Sequence, residues 1–353
     1  MPGMREPLHG PFVWTGDQLA GSSDWLFVLT AAMTEEIDAA LAAFKRRGIA
    51  WSQMRRDDFK IPQTAELLGE IATILEEGCG LAKLSGLQVA RYAEEDLRAI
   101  WYGIGLHLGT PVSQSHAGLR MKTIRDEGAE VGQVYGEMRQ GDGPSFLSAY
   151  ARAVSNGPLR FHTDRTDVVG LLCIDQASAG GLSKIASTVA VHNEILRRRP
   201  DLLEVLYRPY PRSRLGEEKG GGEMVYMLPI FGLCDGRFTS HYSRTYIEAA
   251  QKLDHVPRLT AQQMEAIDLL AEVAEALCYR MHFQPGDMQF LNNHVIYHAR
   301  DAFADDAAAG RSRRLLRLWL AVPNSRPLPA DHAVLWGSVA AGAVRGGIAV
   351  AGD

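Results

Sequence analysis

The sequence has few cysteines, no long hydrophobic run and no excess of positive charge. Its four cysteines are far apart along 353 residues and form no C-x-x-C pair, which argues against a zinc clip and a disulfide framework. The first twelve residues lack the apolar segment of a signal peptide. The longest uncharged stretch of the Ala/Gly-rich tail, 333–344, is too short to cross a bilayer. These absences predict a soluble protein with no membrane partner, in a reducing compartment that we expect to be the cytoplasm.

The composition is that of an ordinary globular chain. Hydrophobic residues make up 46% of the sequence, which is enough to bury a large core and excludes a disordered or collagen-like protein. Lys plus Arg number 37 against 42 Asp plus Glu, for a formal net charge of −5 at pH 7. A chain with this balance does not attract polyanions as a whole, so nucleic acid is not an expected partner. We expect a small-molecule substrate. Both a monomer and a homo-oligomer are compatible with the sequence.

The first third of the chain is predicted to be helical. One helix begins with Thr34 as its cap and stops at Gly48. A second runs from Pro62 to Gly78, and a third covers roughly 93–108. The stretch 80–87 between the last two reads as a short strand.

From about residue 160 the pattern changes to short apolar runs bounded by Gly, Pro, Asn or Asp, which predict strands. The runs cover 168–174, 224–231, 237–242, 288–291 and 315–322. Two helices interrupt them: one from Ser187 or Thr188 to Arg199, and one that starts with a capping box at Thr260 and has its last apolar position at Met281. We therefore predict an α+β protein with a mainly β core of sandwich or barrel type and helices packed outside it.

Two histidines have a carboxylate two residues further along the chain. His192 and Glu194 lie in a predicted helix, where they point about 200° apart and cannot share a metal, so we expect a surface pair. His162 and Asp164 lie in an extended segment, where residues i and i+2 project to one face. They fit two ligands of a 2-His-1-carboxylate iron site, although a solvated loop pair is an alternative.

The third ligand is expected from a distant strand, and the segment 284–303 offers two histidines. His294 and His298 are four residues apart, as in a helical zinc pair, but Val295 stands where H-E-x-x-H has its glutamate. Because the context reads as strand and loop, we predict His298 as the ligand and His294 as a structural residue.

Arginines follow in the strand 313–320. On a strand, one face would carry Arg313, Leu315, Arg317 and Trp319. The other face would carry Arg314, Leu316, Leu318 and Leu320. Two arginines on an otherwise apolar face are costly unless anions meet them. They stand roughly 13 Å apart, so one carboxylate cannot satisfy both. One anionic cosubstrate and one polar substrate could, whereas the alternative is a basic surface stripe.

Taken in order, H-T-D at 162–164, G-G-L-S at 180–183, N-N-x-x-x-x-H at 292–298 and R-x-x-x-R at 313–317 resemble the taurine and chlorophenoxyacetate dioxygenase (TauD/TfdA) superfamily. The resemblance covers roughly residues 80–329. It implies a double-stranded β-helix (jelly roll, cupin-like) with flanking helices. It also implies an Fe(II)- and 2-oxoglutarate-dependent dioxygenase that uses O₂ and releases succinate and CO₂.

The resemblance also implies roles for individual residues. His162, Asp164 and His298 would hold the iron, and Ser183 and Arg313 would bind the far carboxylate of 2-oxoglutarate. Arg317 matches a second arginine that often faces the substrate or the cosubstrate. The superfamily's taurine enzymes have Thr in place of Ser183, and they differ from this chain at 292 and 294. These departures weaken the case for taurine itself as the substrate.

Because Asp164 is present, the ligand set favours hydroxylation or desaturation over halogenation. A zinc hydrolase using the same three residues and a non-catalytic ligand-binding barrel are the rival readings. The hydrolase mechanism gives Arg313 and Ser183 no role, and the presence of all three metal-binding residues argues against a barrel that has lost catalysis. Since the ligands and the anchor must converge, we expect residues 80–329 to form a single dioxygenase core with helical insertions. Residues 1–79 would then be a helical lead-in packed on the core, and 330–353 a C-terminal tail.

Overall fold

The structure is a computed structural model that describes residues 6–128, 130–135, 137–138, 146–215, 225–306 and 308–350. Its α-helices there are α1 (Gly16–Ala20), α2 (Ala31–Lys45), α3 (Pro62–Glu77), α4 (Glu94–Leu108), α5 (Val131–Tyr135), α6 (Ala149–Ala153), α7 (Thr188–Arg198), α8 (Pro200–Leu206), α9 (Arg244–Ala250), α10 (Ala261–Leu277) and α11 (Ala333–Trp336). Its strands there are β1 (Leu26–Val28), β2 (Leu81–Ser85), β3 (Thr110–Pro111), β4 (Met121–Ile124), β5 (Glu137–Met138), β6 (Phe146–Leu147), β7 (Leu159–His162), β8 (Val168–Asp175), β9 (Ala179–Gly180), β10 (Ser183–Ser187), β11 (Tyr210–Ser213), β12 (Val225–Leu228), β13 (Phe231–Cys234), β14 (Arg237–Ser240), β15 (Tyr279–Met281), β16 (Met288–Asn292), β17 (Ile296–Arg300), β18 (Phe303–Ala304) and β19 (Arg314–Ala321).

Two mainly antiparallel sheets form the core of the fold. The larger has the strand order β1-β2-β16-β8-β19-β3, and β4 also pairs with β19. The smaller has the order β15-β10-β17-β7. Within the larger sheet only the β1–β2 pair is parallel. This arrangement, with helices outside the sheets, confirms the predicted jelly-roll core.

Strand β19 shows how alternation divides the molecule into layers. Leu316, Leu318 and Leu320 belong to the core cluster that includes α2, α3 and α4, whereas Leu315 and Trp319 belong to the cluster that reaches the smaller sheet. Alternate side chains of a strand point to opposite faces, so one face of the larger sheet is covered by helices. The other face lies over the interior that holds the site.

Most predicted elements are present, but three boundaries were wrong. Helix α2 begins at Ala31 rather than Thr34, because Thr30 accepts the hydrogen bond from the Met33 amide. Met281 lies in β15, since α10 ends at Leu277 and the chain becomes extended at Cys278. The run 224–231 contains two strand segments, separated around Pro229, which has no backbone N–H to continue a ladder.

The segments outside the predicted core pack closely on it. Strand β1, from the N-terminal segment, extends the larger sheet through β2. From the C-terminal segment, Arg345 is 2% exposed. In the described part of the chain, no helix is long and apolar enough to span a membrane. The division at 79/80 and 329/330 stays a prediction.

Candidate functional site

Three side chains with metal-binding atoms converge between the sheets. His162 ends β7 and lies directly opposite His298 of β17 in the antiparallel register. The Nε2 atoms of His162 and His298 lie 3.8 and 3.7 Å from carboxylate oxygens of Asp164. Asp164 follows the end of β7, so the loop brings it to the histidines, rather than strand alternation alone. Within the described residues, these three form the cluster that could hold a metal ion.

Both histidines are held in the form that binds metals. Burial lowers the pKa of His298 to about 3 and also lowers the pKa of His162, so both imidazoles are neutral near pH 7. The His162 Nδ1 atom lies 2.9 Å from the Arg160 carbonyl oxygen, to which it donates. That hydrogen bond leaves the Nε2 lone pair directed towards Asp164 and available to a metal.

The carboxylate of Asp164 is ionised despite its burial. Burial opposes ionisation, but the Arg317 guanidinium and the hydrogen bond from Trp319 hold the pKa of Asp164 below its ordinary value. Trp319 Nε1 donates to Asp164 Oδ2 at 3.0 Å, and Arg317 Nη1 lies 3.4 Å from Oδ1. Two neutral imidazoles and one carboxylate are the donor set of the 2-His-1-carboxylate iron site. The residues present therefore fit Fe(II).

A buried polar network behind the site fixes the Asp164 loop. The Asp164 amide donates to Asn293 Oδ1 at 3.0 Å. His294 is completely buried and its Nε2 lies 2.9 Å from Asp167 Oδ1, which also accepts from Arg345 Nε at 2.8 Å. His294 is thus engaged away from the metal-ligand cluster. Arg345, in the predicted C-terminal tail 330–353, supports the loop that carries Asp164 through its hydrogen bond to Asp167.

The three ligands line a small cavity that is partly open to solvent. Asp164 is the acid among its lining residues, which include Arg300, Arg313 and Arg317. A cavity lined by three arginines and one carboxylate has an excess of positive charge, which attracts anions. Ser183, His162 and His298 are also among the lining residues, so all six predicted site residues face one cavity.

Arg313 is a buried cation that lines the cavity. It is 7% exposed, and no acidic side chain in the described residues lies within 4 Å of its guanidinium. Its Nη1 atom is buried without a hydrogen-bond partner among them, and burial lowers the pKa of Arg313 to about 10. An unpaired buried guanidinium is costly by itself. It fits the carboxylate of a ligand that enters the cavity.

The two glycines before Ser183 are required by the backbone. Gly180 and Gly181 have φ values of +73° and +72°, a conformation that disfavours residues with a Cβ atom. A Cβ at Gly180 would lie 2.3 Å from the carbonyl oxygen of Ala302. This tight turn leads into β10, whose first residue is Ser183, 6% exposed.

Sequence reasoning missed several contacts of Arg317. The Gln114 side chain is completely buried, accepts from Arg317 Nε at 2.8 Å and donates to the Arg317 carbonyl oxygen at 2.9 Å. Lys122, on the neighbouring β4, is also buried. The available signal was the presence of polar residues in the stretch between α4 and α5, but which of them turns inward depends on the pairing of β4 with β19.

The second His-x-acid pair was described wrongly as a surface pair. His192 is completely buried, and its ring packs against the rings of Phe231 and Phe238. Glu194 instead forms a bidentate ion pair with Arg197 on the same helix. The two side chains point apart, as expected on a helix, but the imidazole points into the core because α7 packs there.

The fold and the site together define a non-heme iron oxygenase, and the comparisons with known proteins agree. The profile of the "Taurine catabolism dioxygenase TauD, TfdA family" matches residues 46–319, so the chain belongs to this family. It is a 2-oxoglutarate-dependent dioxygenase whose cofactors are Fe(II), 2-oxoglutarate and O₂. This assignment favours the dioxygenase over the zinc hydrolase and the non-catalytic barrel.

Two relatives match most of the chain. "FR-33289 synthase" from Streptomyces rubellomurinus is 30% identical over 96% of this chain and 97% of its own length. "Taurine hydroxylase-like protein SAT17" from Stachybotrys chartarum is 31% identical over 88% of this chain and 79% of its own length.

Among solved structures, asparagine oxygenase with Fe(II), 2S,3S-3-hydroxyasparagine and succinate has a TM-score of 0.61 at 14% identity. The match covers 91% of this chain and 100% of that chain. The non-heme iron oxygenase OrfP with Fe, succinate and (3S)-hydroxy-L-Arg has a TM-score of 0.58 at 13% identity, covering 84% of this chain and 94% of that chain. These similarities establish the fold.

Proposed function

We propose that this dioxygenase hydroxylates a small polar or anionic substrate while converting 2-oxoglutarate to succinate and CO₂. In the balanced reaction, one oxygen atom of O₂ enters succinate and the other enters the product as a hydroxyl group. The observation that carries the proposal is Arg313, a buried guanidinium with no acidic partner in the described residues, facing the same cavity as His162, Asp164 and His298.

In this proposal His162, Asp164 and His298 hold Fe(II), which when bound supplies the activation of O₂ and the oxidative decarboxylation of 2-oxoglutarate. The protein's own contribution is binding and orientation. Arg313 offers a planar fork of donors to the far carboxylate of 2-oxoglutarate, a geometry that favours a bidentate ion pair. Ser183 lines the same cavity and is proposed to add a hydroxyl donor to that carboxylate.

Arg317 is proposed to meet the substrate. Gln114 fixes its Nε atom, and its guanidinium lies 4.7 Å from the Trp319 ring, so the side chain is held in place before any ligand binds. Leu171, Phe283 and Leu315 are among the apolar residues that line the cavity. In this proposal they exclude water from around the reacting carbon.

The test is anaerobic addition of Fe(II) and 2-oxoglutarate to the metal-free protein. A weak visible charge-transfer band is expected with both together and with neither alone, and slow succinate release is expected when air is admitted. His298→Ala is expected to abolish the band, whereas His282→Ala, at an exposed position, keeps it. Absence of both the band and succinate from the unaltered protein would refute the proposed function.

A further inference from the structure

Arg300 lies in the part of the cavity that is proposed to receive 2-oxoglutarate. It is the last residue of β17, two residues after His298, so both side chains project to the same face of the strand. In the pairing of β17 with β10, Arg300 is directly opposite Ser183, the proposed hydroxyl donor to the far carboxylate. Arg300, Ser183 and Arg313 all line the cavity. Arg300 therefore lies at the end of the cavity where that carboxylate is proposed to bind.

The ring of Phe303 brings Arg300 and Arg313 together. Its centroid lies 4.7 Å from the Arg300 Cζ atom and 5.4 Å from the Arg313 Cζ atom. Arg300 is 5% exposed, and the described residues place no acidic side chain within 4 Å of either guanidinium. An aromatic face attracts a cation but does not neutralise it. This end of the cavity therefore holds two neighbouring buried cations.

Main-chain carbonyl groups hold Arg300 in place. Its Nη2 atom donates to the carbonyl oxygens of Ser155 at 2.6 Å and Gly157 at 2.5 Å, in the turn between α6 and β7. The carbonyl oxygen of Asn156 in the same turn accepts from the Phe303 amide at 3.0 Å. The guanidinium is thus oriented before any ligand binds. Carbonyl groups carry no net charge, however, so the positive charge of Arg300 is not compensated by them.

Arg300 remains a cation near neutral pH. Burial, reinforced by the charge of Arg313, lowers the pKa of Arg300 to about 9. Its Nε atom is also buried without a hydrogen-bond partner in the described part of the chain. Two like charges in a buried site repel each other, and each carries a desolvation cost. One carboxylate bound at Arg313 would offset the charge of both groups.

We propose that Arg300 is a positioning residue for 2-oxoglutarate. Its fixed charge attracts the far carboxylate to Arg313 and makes the site selective for a 2-oxo dicarboxylate over a 2-oxo monocarboxylate. Arg300 keeps its carbonyl partners and acts through space, whereas Arg313 forms the direct ion pair. This inference rests on the proposed function, because it takes Arg313 and Ser183 as the anchor of the cosubstrate.

The test compares 2-oxoglutarate with 2-oxopentanoate, which has the same chain length and a methyl group in place of the far carboxylate. Each is titrated anaerobically into Fe(II)-loaded protein, and its dissociation constant is read from the charge-transfer band. The ratio of the two constants measures selectivity for the far carboxylate. Arg300→Met should reduce this selectivity about tenfold, the effect of one partly screened charge several ångströms away, and should change 2-oxopentanoate binding less than about threefold.

Conservative variants separate the charge of Arg300 from its contacts with the turn. Arg300→Lys keeps the charge and should keep most of the selectivity. Arg300→Gln keeps a donor for the carbonyl groups and should lose selectivity as Arg300→Met does. A residue that only held the turn would change both dissociation constants together and leave their ratio unaltered. Arg280→Met, at a position on β15 of the same sheet whose side chain is 46% exposed, removes an equal charge and should leave the ratio unchanged.

The charge-transfer band distinguishes failure of the proposed function from failure of the Arg300 inference. If unaltered protein gives no band with 2-oxoglutarate, the proposed function is wrong. If the band forms and the ratio is the same in unaltered, Arg300→Met and Arg300→Gln protein, the Arg300 inference is overturned while the dioxygenase assignment stands. If the Arg300 variants fail to fold, Arg313→Leu is measured in their place. That variant keeps Arg300 and should still prefer 2-oxoglutarate, so equal binding of the two compounds would overturn the inference.

Discussion

Replacement of Arg313 by leucine is expected to change cosubstrate binding and protein stability in opposite directions. The guanidinium lies in the cavity beside the proposed iron ligands without an acidic partner in the described residues, and its lowered pKa of about 10 reflects the cost of burying that charge. Leucine removes the buried charge and is compatible with the apolar lining. The ligand-free variant should therefore unfold at the same temperature as the unaltered protein or a higher one.

The loss of binding follows from the ion pair that Arg313 is proposed to form. Truncating one partner of a buried, hydrogen-bonded charge pair costs about 2–5 kcal/mol. At about 1.4 kcal/mol per factor of ten, the dissociation constant of 2-oxoglutarate should rise roughly 30- to 4,000-fold. The affinity for Fe(II) alone should change far less, because Arg313 is not one of the three metal-binding side chains.

The assay is an anaerobic titration of 2-oxoglutarate into Fe(II)-loaded protein, followed by the charge-transfer band, together with a separate iron titration. Arg314→Leu is the matched control, since Arg314 is the next residue in the chain, pairs with Glu94 and has a side chain 35% exposed. A rise of less than about threefold for Arg313→Leu, or equal rises for both variants, would show that Arg313 does not anchor the cosubstrate.

Two further predictions concern buried histidines. His294→Ala should lower the free energy of unfolding by about 1–3 kcal/mol, because Asp167 and Thr239 each lose a buried hydrogen-bond partner. The Fe(II)/2-oxoglutarate band should survive. Loss of the band with an intact fold would reverse the choice of ligand. Burial lowers the pKa of His192 to about 4 from 6.5, so the unfolded chain binds one more proton between these values. The contribution of His192 to the free energy of unfolding is therefore complete above pH 6.5, and it falls by about 3 kcal/mol as the pH drops from 6.5 to about 4. His192→Leu should flatten this part of the curve in denaturant titrations at several pH values, and an unchanged slope would contradict the assignment.

The ligand triad shows how far local sequence could lead. H-x-D predicted two neighbouring ligands on one face of an extended segment, and in the structure Asp164 lies just beyond the end of β7. Its position depends on Asn293 and Trp319, which are 129 and 155 residues away in the chain. Such long-range contacts leave no periodic signal near residue 164.

The burial of polar residues was predicted least well. Helical spacing correctly separated His192 from Glu194, but nothing in the spacing tells which side of α7 meets the core. Lys122 and Gln114 lie in a loop-like sequence, yet both are buried, and the pairing of β4 with β19 places Lys122 opposite Arg317. The choice between His294 and His298 followed from strand context, and the structure places only His298 beside Asp164.

The sequence by itself determined the apolar alternation that makes β19, the glycine pair that permits the turn before Ser183, and the ordered motifs that indicate the dioxygenase family. These are local properties, set by side-chain period and backbone conformation. The tertiary structure alone decided which cations share the cavity and which acids can reach them. Electrostatic pairing depends on distance in space and on burial, and neither can be read from separation along the chain.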